Sequence, residues 1–403
     1  MKFSKRITSM QSSPIRRLVP YAEAAKAEGK KVYHLNIGQP DIVTPPGFLE
    51  SIKKFAGDVI AYSASHGSYE LIDAMIDYYK GFDINLERKN LIVTNGGSEA
   101  LSFALMATCD PGDEVLVPEP FYANYNAFAS SVNVKLVPIT TRAREGFHLP
   151  PKAEILKKIT PLTRAILFSN PGNPTGVIYT REEMEMIADI ALEKDIYVIA
   201  DEVYREFVYD GLKYTSFGNI KRLEDRVIIV DSISKRYSAC GARIGCILSR
   251  NEELMAQTMK LAQGRLCVPT LEQVGAVALY KTPKSYLEEV NKEYQARRDI
   301  LISKVREMPG VICEEPKGAF YVVAKLPVDD AEKFVIWMLK DFHVDNETVM
   351  MAPAEGFYAT PGLGRDEARL AYVLKKEDLS RAMDILKAGL EAYPGRIKSA
   401  SNF

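Results

Sequence analysis

The sequence is poor in the residues that build disulfide frameworks and metal centres. Among its 403 residues it has only four histidines and five cysteines, Cys109, Cys240, Cys246, Cys267 and Cys313. The cysteine count is odd, no pair has CxxC spacing and no HExxH motif occurs, so neither a disulfide framework nor a metal site is predicted. We therefore expect reduced thiols in a cytoplasmic protein without a bound metal.

The sequence also lacks a charge excess and long apolar runs. Its 52 basic and 53 acidic residues give a formal net charge of −1, which offers no bulk attraction for nucleic acid or an anionic membrane. No run of about 18 apolar residues occurs, and the charged N-terminus MKFSKRITSMQSSPIRR has no apolar core of a signal peptide. The sequence therefore predicts neither a nucleic-acid partner nor a membrane partner.

Short apolar runs, each followed by turn residues, recur through the first three quarters of the chain. Helical patterns lie between most of them, which favours an α/β fold with a mostly parallel sheet covered by helices on both faces. The runs predict seven strands, at LIVTNGG (91–97), EVLVPEP (114–120), VKLVPI (134–139), RAILFSNP (164–171), YVIADEVY (197–204), RVIIVDSIS (226–234) and RIGCILS (243–249).

The pattern changes after about residue 285, where a long charged helix leads into shorter strands and helices. We interpret this part as a smaller α+β domain. The first 45 residues show no strand–helix unit of their own, so we expect them to pack on the C-terminal part. The prediction is a large domain over 46–285, a small domain formed by 1–45 with 286–403, and a site in the cleft between them.

In such folds the ligand lies beyond the carboxyl ends of the strands, so the residues after each run were the first candidates. The first run leads through Gly96, Gly97 and Ser98 into a helix, an arrangement that favours binding of an anion such as phosphate. The fourth run ends in NPGNPTG, a stiff turn that fixes Asn173. Each of these segments is also compatible with a purely structural turn.

A carboxylate and a lysine follow the next two runs. Asp201 follows YVIA, and a carboxylate in that place needs either a partner in the protein or a cationic ligand group, because an unpaired buried charge is costly. VIIV leads through Ser232 and Ser234 to Lys235, with Arg243 shortly after. The lysine is placed to form an imine, and the serines with the arginine suit a phosphate dianion.

Taken in order, the segments GGS, NPGNPTG, DEVY, SISK and the following arginine closely resemble the fold-type I pyridoxal-phosphate aminotransferases of class I/II, the aspartate aminotransferase-like family. The resemblance covers almost the whole chain. It implies an enzyme with pyridoxal 5'-phosphate (PLP) as cofactor, which transfers an amino group between an L-amino acid and a 2-oxoacid by ping-pong chemistry. The catalytic residues that it implies are Lys235 for the imine and the proton transfer, Asp201 for the ring nitrogen, and Tyr204.

The same resemblance implies the remaining cofactor contacts. Asn173 and Tyr204 bind the phenolic oxygen, Tyr122 stacks on the ring, and Tyr62 reaches the phosphate of the neighbouring subunit in a homodimer with shared sites. The phosphate ligands that it implies are Gly96, Gly97, Ser98, Ser232, Ser234 and Arg243.

For the substrate, the resemblance implies that Arg369 in ARLAYV binds the α-carboxylate, beside Asn173 and Gly38 of LNIGQPD. Ser98 stands where one subgroup has a lysine for a second carboxylate, and Arg265 is a candidate for that task from the partner subunit. Aspartate, alanine, aromatic amino acids and methionine all stay open as donors, with 2-oxoglutarate as the expected acceptor.

Two other functions are alternatives to transamination. A lyase or decarboxylase can use the same residues, since the outcome depends on which substrate bond is held perpendicular to the ring. A cofactor-binding transcriptional regulator would need a DNA-binding module, and the roughly 35 residues before LNIGQPD are too few for one and are not notably basic.

Overall fold

The computed structural model describes residues 1–397 of the chain; residues 398–403, the end of the predicted small domain, lie outside the described residues. In chain order its strands are β1 (Lys31–His34), β2 (Leu91–Thr94), β3 (Glu114–Glu119), β4 (Lys135–Thr140), β5 (Thr163–Ser169), β6 (Tyr197–Asp201), β7 (Val227–Ser232), β8 (Gly245–Leu248), β9 (Tyr321–Lys325), β10 (Glu347–Met350), β11 (Ala352–Pro353) and β12 (Glu367–Ala371).

The helices lie mostly between these strands. None of those within residues 1–397 is long and apolar enough to cross a membrane. They are α1 (Lys5–Ser9), α2 (Val19–Ala27), α3 (Gly47–Lys53), α4 (Tyr69–Lys80), α5 (Gly96–Thr108), α6 (Asn124–Ser131), α7 (Lys152–Leu156), α8 (Arg181–Lys194), α9 (Ile233–Arg236), α10 (Glu252–Arg265), α11 (Thr270–Tyr280), α12 (Lys284–Arg306), α13 (Ala331–Lys340) and α14 (Lys376–Ala392).

The large sheet has seven strands in the order β2-β8-β7-β6-β5-β3-β4. All neighbouring pairs are parallel except the two that involve β8, which runs antiparallel to both β2 and β7. This confirms the predicted α/β class and the mostly parallel seven-stranded sheet. The reversed strand was not foreseen, because an apolar run indicates burial and not direction.

Both faces of this sheet are buried, as the continuous apolar runs predicted. Along β7, Val227 and Ile229 join a core that includes side chains of α4, α8 and α11, whereas Ile228 and Val230 join a core with α5 and α10. Successive residues of a strand point to opposite faces, so each apolar run contributes to both cores. Each such fully buried side chain stabilises the fold by roughly 1.5–3 kcal/mol.

The C-terminal part forms a second layer with its own core. Strands β11, β12 and β9 form an antiparallel sheet, and α12, α13 and α14 contribute to the core beside it. The first 45 residues, expected to have no strand–helix unit of their own and to pack on the C-terminal part, contain α2 followed by the single strand β1, which pairs in parallel with β10. That strand has four residues and its partner lies at the other end of the chain, so no local pattern marks it. The division at residues 46 and 285 stays a prediction.

Candidate active site

A cleft of about 450 Å³ opens beyond the carboxyl ends of β5, β6 and β7, beside the first turn of α5. Residues from the N-terminal segment and from β9 and β12 close its other side. The cleft is lined by twelve of the residues that the sequence singled out: Gly38, Gly97, Ser98, Tyr122, Asn173, Asp201, Tyr204, Ser232, Ser234, Lys235, Arg243 and Arg369.

Lys235 enters the cleft from α9, the short helix that follows β7 directly. Ser232 caps this helix, its hydroxyl oxygen accepting a hydrogen bond from the Ser234 N–H at 3.3 Å. The Lys235 Nζ donates to the carbonyl oxygen of Gly38 at 2.8 Å, which joins the two sides of the cleft. A half-buried amine held at one backbone carbonyl is free to turn towards a ligand.

Asp201, the last residue of β6, is the acidic side chain of the cleft wall and is 5% exposed. Its carboxylate accepts hydrogen bonds from the Tyr125 hydroxyl at 2.7 Å and from the Val203 N–H at 3.4 Å. Burial raises the pKa of Asp201 to about 6, and the nearby charges of Asp231 and Glu202 act in the same direction. The carboxylate therefore has hydrogen-bond donors but lacks the counterion that a buried charge requires.

Two further polar groups, Tyr204 and Asn173, line the same cleft as Asp201. Tyr204 is 3% exposed and its hydroxyl lies 2.9 Å from that of Tyr321. The Asn173 Oδ1 accepts a hydrogen bond from Arg369 Nη1 at 3.1 Å. Burial raises the pKa of Tyr204 well above its ordinary value, so the side chain stays a neutral hydrogen-bond donor.

Tyr122 lies on the cleft wall next to Asp201. Its hydroxyl accepts a hydrogen bond from Asn124 Nδ2 at 2.7 Å, and its ring meets the ring of Tyr125 edge-on at 5.5 Å. Burial raises the pKa of Tyr122 to about 12. The ring is therefore fixed in place by contacts of its own and presents a rigid apolar surface.

The other end of the cleft gathers groups suited to an anion. The first-turn N–H groups of α5, at Gly97 and Ser98, have no partner within the helix and carry the positive end of its dipole. Arg243 adopts a left-handed backbone conformation with φ of 53°, uncommon outside glycine, and its Nη1 donates to the Cys240 carbonyl. A guanidinium, hydroxyl groups and a helix start form a site for a phosphate dianion.

Arg369, on β12, is 2% exposed and forms no ion pair with a carboxylate among residues 1–397. Its Nη2 donates to the Asn36 carbonyl at 2.5 Å, while its Nε is buried without a partner. Burial lowers the pKa of Arg369. A buried guanidinium with a vacant donor and no counterion suits a carboxylate ligand.

Three of the predicted residues are not on the wall of this cleft. Gly96, with φ of 75°, packs against the Arg243 side chain: a Cβ atom at residue 96 would lie 2.3 Å from Arg243 Nη2. Tyr62 is 81% exposed on a loop away from the cleft of its own chain. The Arg265 Nε lies 3.3 Å from Glu99 Oε2, and the Arg265 Nη2 donates to the carbonyls of Ser65 and Val93. The Arg265 charge is therefore paired with Glu99, away from the cleft of its own chain.

Sequence reasoning missed several other residues of the cleft. Asn36 is the second residue of the LNIGQPD segment and could have been found from it. Tyr321 and Arg16 gave no local signal, since Tyr321 belongs to an apolar strand and Arg16 to a polar N-terminal segment. These additional residues are Ser13, Ile15, Arg16, Val19, Asn36, Ile37, Gln39, Leu101, Asn124, Val203, Cys240 and Tyr321.

The cleft fits the cofactor that the resemblance implies. The buried Asp201 carboxylate needs a cationic partner, which a protonated ring nitrogen supplies. The anion site around Arg243 and the start of α5 suits the phosphate group, and Lys235 lines the same cleft. Charge and donor types therefore match the group at each end.

Comparison with known proteins agrees with this geometry. The family described as aminotransferase class I and II matches residues 30–386. The chain is 32% identical to an aspartate aminotransferase from Pyrococcus horikoshii, over 96% of this chain and 97% of that protein.

Two solved structures extend the likeness to the fold. An aspartate aminotransferase from Thermotoga maritima superposes with a TM-score of 0.89 at 28% identity, covering 97% of this chain and all of that one. An alanine aminotransferase from Pyrococcus furiosus gives a TM-score of 0.87 at 32% identity, covering 96% and 99%. The chain therefore belongs to the class I and II aminotransferases, the pyridoxal-phosphate-dependent enzymes of fold type I.

Proposed function

We propose that the protein transfers an amino group between an L-amino acid and a 2-oxoacid, with PLP held on Lys235. The observation that carries this proposal is the presence of three groups in one cleft: the Lys235 amine, the buried Asp201 carboxylate and the buried Arg369 guanidinium. Transamination by this cofactor uses an imine-forming amine, a partner for the ring nitrogen and an anchor for the substrate α-carboxylate.

The proposed contacts with the cofactor follow the donors of the cleft wall. Asp201 pairs with the ring nitrogen, Tyr204 and Asn173 donate to the phenolic oxygen, and Tyr122 packs on the ring. The proposed phosphate ligands are Ser232, Ser234, Arg243 and the α5 N–H groups at Gly97 and Ser98, with Gly96 leaving room for the arginine.

When bound, the cofactor supplies an electron sink for the bond broken at the substrate Cα. Lys235 Nζ would take the proton from the substrate Cα as general base and would then give it up as general acid. Arg369 and Asn173 hold the α-carboxylate, which fixes Cα within reach of that amine. The 2-oxoacid product leaves before the second 2-oxoacid binds, so both half-reactions use the same residues in ping-pong order.

We propose a substrate with a second carboxylate, so that aspartate or glutamate as donor and 2-oxoglutarate as acceptor come first. Four cations line the cleft, and three of them have proposed partners: Lys235 in the cofactor linkage, Arg243 at the phosphate and Arg369 at the α-carboxylate. The fourth, Arg16, pairs with no carboxylate among residues 1–397. A distal carboxylate would supply its counterion.

The test of the proposed reaction is the absorption spectrum of the purified protein mixed with single amino acids. A donor that bleaches the yellow cofactor band, with recovery on addition of 2-oxoglutarate, supports transamination. A band that no donor bleaches points instead to lyase or decarboxylase chemistry, and a protein that binds no cofactor overturns the proposal.

The substrate class is tested with Arg16→Leu, and Arg17→Leu is the matched control because Arg17 is the next residue and pairs with Glu332 away from the cleft. We expect Arg16→Leu to lower kcat/KM for aspartate roughly 10- to 100-fold, the value of a charge-assisted hydrogen bond, and to leave alanine unaffected. Equal losses for both donors would contradict the role of Arg16.

We also propose a homodimer with shared sites. The exposed apolar side chains of Val59, Ile60, Tyr62 and Leu266 support it, and the Thr270 hydroxyl, which donates to the Ala61 carbonyl at 2.8 Å, brings these two segments together. Mixing Tyr62→Ala with Lys235→Ala should restore activity above that of either variant, since one site in each hybrid is intact.

A cytoplasmic location is proposed as well, and the five free cysteines support it.

A further inference from the structure

Tyr321 touches three residues of the proposed site without belonging to any of its sequence motifs. It is the first residue of β9, pairs in register with Ala371 of β12 and is 2% exposed. Its hydroxyl lies 2.9 Å from the Tyr204 hydroxyl, and its ring lies 4.5 Å from the Arg369 guanidinium carbon. The strand pairing therefore fixes this side chain from outside the large sheet.

Either hydroxyl of the Tyr321–Tyr204 pair can donate, and the role proposed for Tyr204 assigns the direction. Each hydroxyl has one proton, and Tyr204 is otherwise enclosed by the rings of Phe207 and Phe320. Tyr204 can aim its proton into the cleft only if Tyr321 donates to the Tyr204 oxygen. The competing acceptor for the Tyr321 proton, the Gly38 carbonyl, is farther away at 3.5 Å.

Gly38 supplies a separate observation on the same contact. A Cβ atom at residue 38 would lie 1.6 Å from the Tyr321 hydroxyl oxygen and 2.3 Å from the adjoining ring carbon. No side chain larger than that of glycine leaves Tyr321 in place. The absence of a side chain at residue 38 is thus what allows Tyr321 to reach Tyr204.

We propose that Tyr321 is a positioning residue for transamination, whose hydroxyl donates to Tyr204 and so orients the Tyr204 proton towards the phenolic oxygen of the cofactor. The inference rests on the proposed function, in which Tyr204 donates to that oxygen. A hydroxyl that accepts a hydrogen bond becomes a stronger donor, by about 10–30% per bond. Tyr321 therefore acts through Tyr204.

The experiment is a double-mutant cycle read by the absorption of the cofactor-loaded protein as a function of pH. Donation to the phenolic oxygen stabilises its anion and lowers the pH at which the Lys235–cofactor linkage loses its proton. Tyr204→Phe should raise that midpoint by roughly 1–2 pH units, and Tyr321→Phe by roughly 0.1–0.6 units. In the Tyr204→Phe background, Tyr321→Phe should have no further effect.

Tyr372→Phe is the matched control. Tyr372 directly follows the last residue of β12 and is fully buried, and its hydroxyl lies near the Ala319 carbonyl, outside the cleft. It should leave the midpoint unchanged. A wild-type midpoint in Tyr321→Phe, or the same shift with and without Tyr204, overturns the inference alone. A protein that binds no cofactor overturns the proposed function and the inference together.

Discussion

Two buried carboxylates at the ends of neighbouring strands have opposite surroundings. Asp231, near the end of β7, forms an ion pair with Arg236, accepts from the Tyr79 hydroxyl at 2.7 Å and lies 3.8 Å from Arg205. Asp201, at the end of β6, accepts from Tyr125 at the same distance of 2.7 Å but forms no ion pair with a cation of the described chain, residues 1–397. One carboxylate has its counterions inside the protein, whereas the other depends on a ligand to supply one.

The buried arginines divide in the same way. Arg205 and Arg236 each form ion pairs with carboxylates of a charged cluster behind α9, whose members are Glu202, Arg205, Asp231 and Arg236. Arg369 is equally buried, but its side chain hydrogen-bonds only to an amide and a carbonyl oxygen among the described residues. The comparison shows that burial alone does not identify a ligand-binding charge; the absence of an internal counterion does.

The largest expected effect separates two adjacent residues of α9. Lys235→Ala should reduce transamination by roughly 10⁴-fold or more, because both the imine and the proton transfer are lost. Its free energy of unfolding should change little, since within residues 1–397 the Lys235 amine bonds only to the Gly38 carbonyl and the Cys240 sulfur. Steady-state kinetics and urea unfolding measure the two quantities, and wild-type turnover in this variant would exclude Lys235 as the catalytic amine.

The neighbouring residue should show the reverse. Arg236→Met removes the counterion of Asp231 and should lower the free energy of unfolding by about 3–5 kcal/mol, the usual result of breaking a buried ion pair from one side. The fraction that stays folded should still bind the cofactor. Urea unfolding of both variants under one condition provides the comparison, and a stability as high as that of Lys235→Ala would mean that the charged cluster is not structural.

The sequence could predict this cleft as far as its residues follow strand ends. Asp201, Lys235 and Asn173 stand directly after apolar runs, and parallel strands bring such positions to one edge of the sheet. It could not distinguish Asp201 from Asp231 by their surroundings, because the partners Tyr125 and Arg236 are set by packing.

Other parts of the fold and of the cleft depend on contacts between distant segments. Strand β1 pairs with β10 across nearly the whole chain, and Tyr321 reaches Tyr204 from a strand with an ordinary apolar pattern. The antiparallel direction of β8 and the place of Arg16 on the cleft wall also depend on segments that are distant in sequence. Such features can be found only from the three-dimensional structure, because a local sequence pattern does not report contacts between distant segments.

A smaller effect concerns the stability of the cofactor-free protein. The pKa of Asp201 is raised to about 6 from 3.8, so the folded state binds the proton more tightly than the unfolded state and stability falls as the pH rises between these values. Asp201→Asn removes this cost, which is on the order of 2–3 kcal/mol above pH 6. The variant should thus be more stable than the wild type, by about 1 kcal/mol more at pH 7 than at pH 5. Urea unfolding of both apoproteins tests this, and a difference that does not depend on pH would contradict it.

The smallest effect compares the two tyrosines that donate to the two carboxylates. Tyr79→Phe should cost about 1–2 kcal/mol of stability, because Asp231 keeps Arg236, and it should not alter cofactor binding. In Tyr125→Phe, Asp201 loses its only side-chain donor among the described residues, so its pKa rises further and the ionised form needed at the ring nitrogen is lost at a higher pH. The acid limb of cofactor rebinding should move up by about one pH unit. If both variants shift that limb equally, the contrast between a carboxylate with an internal counterion and one that awaits a ligand does not hold.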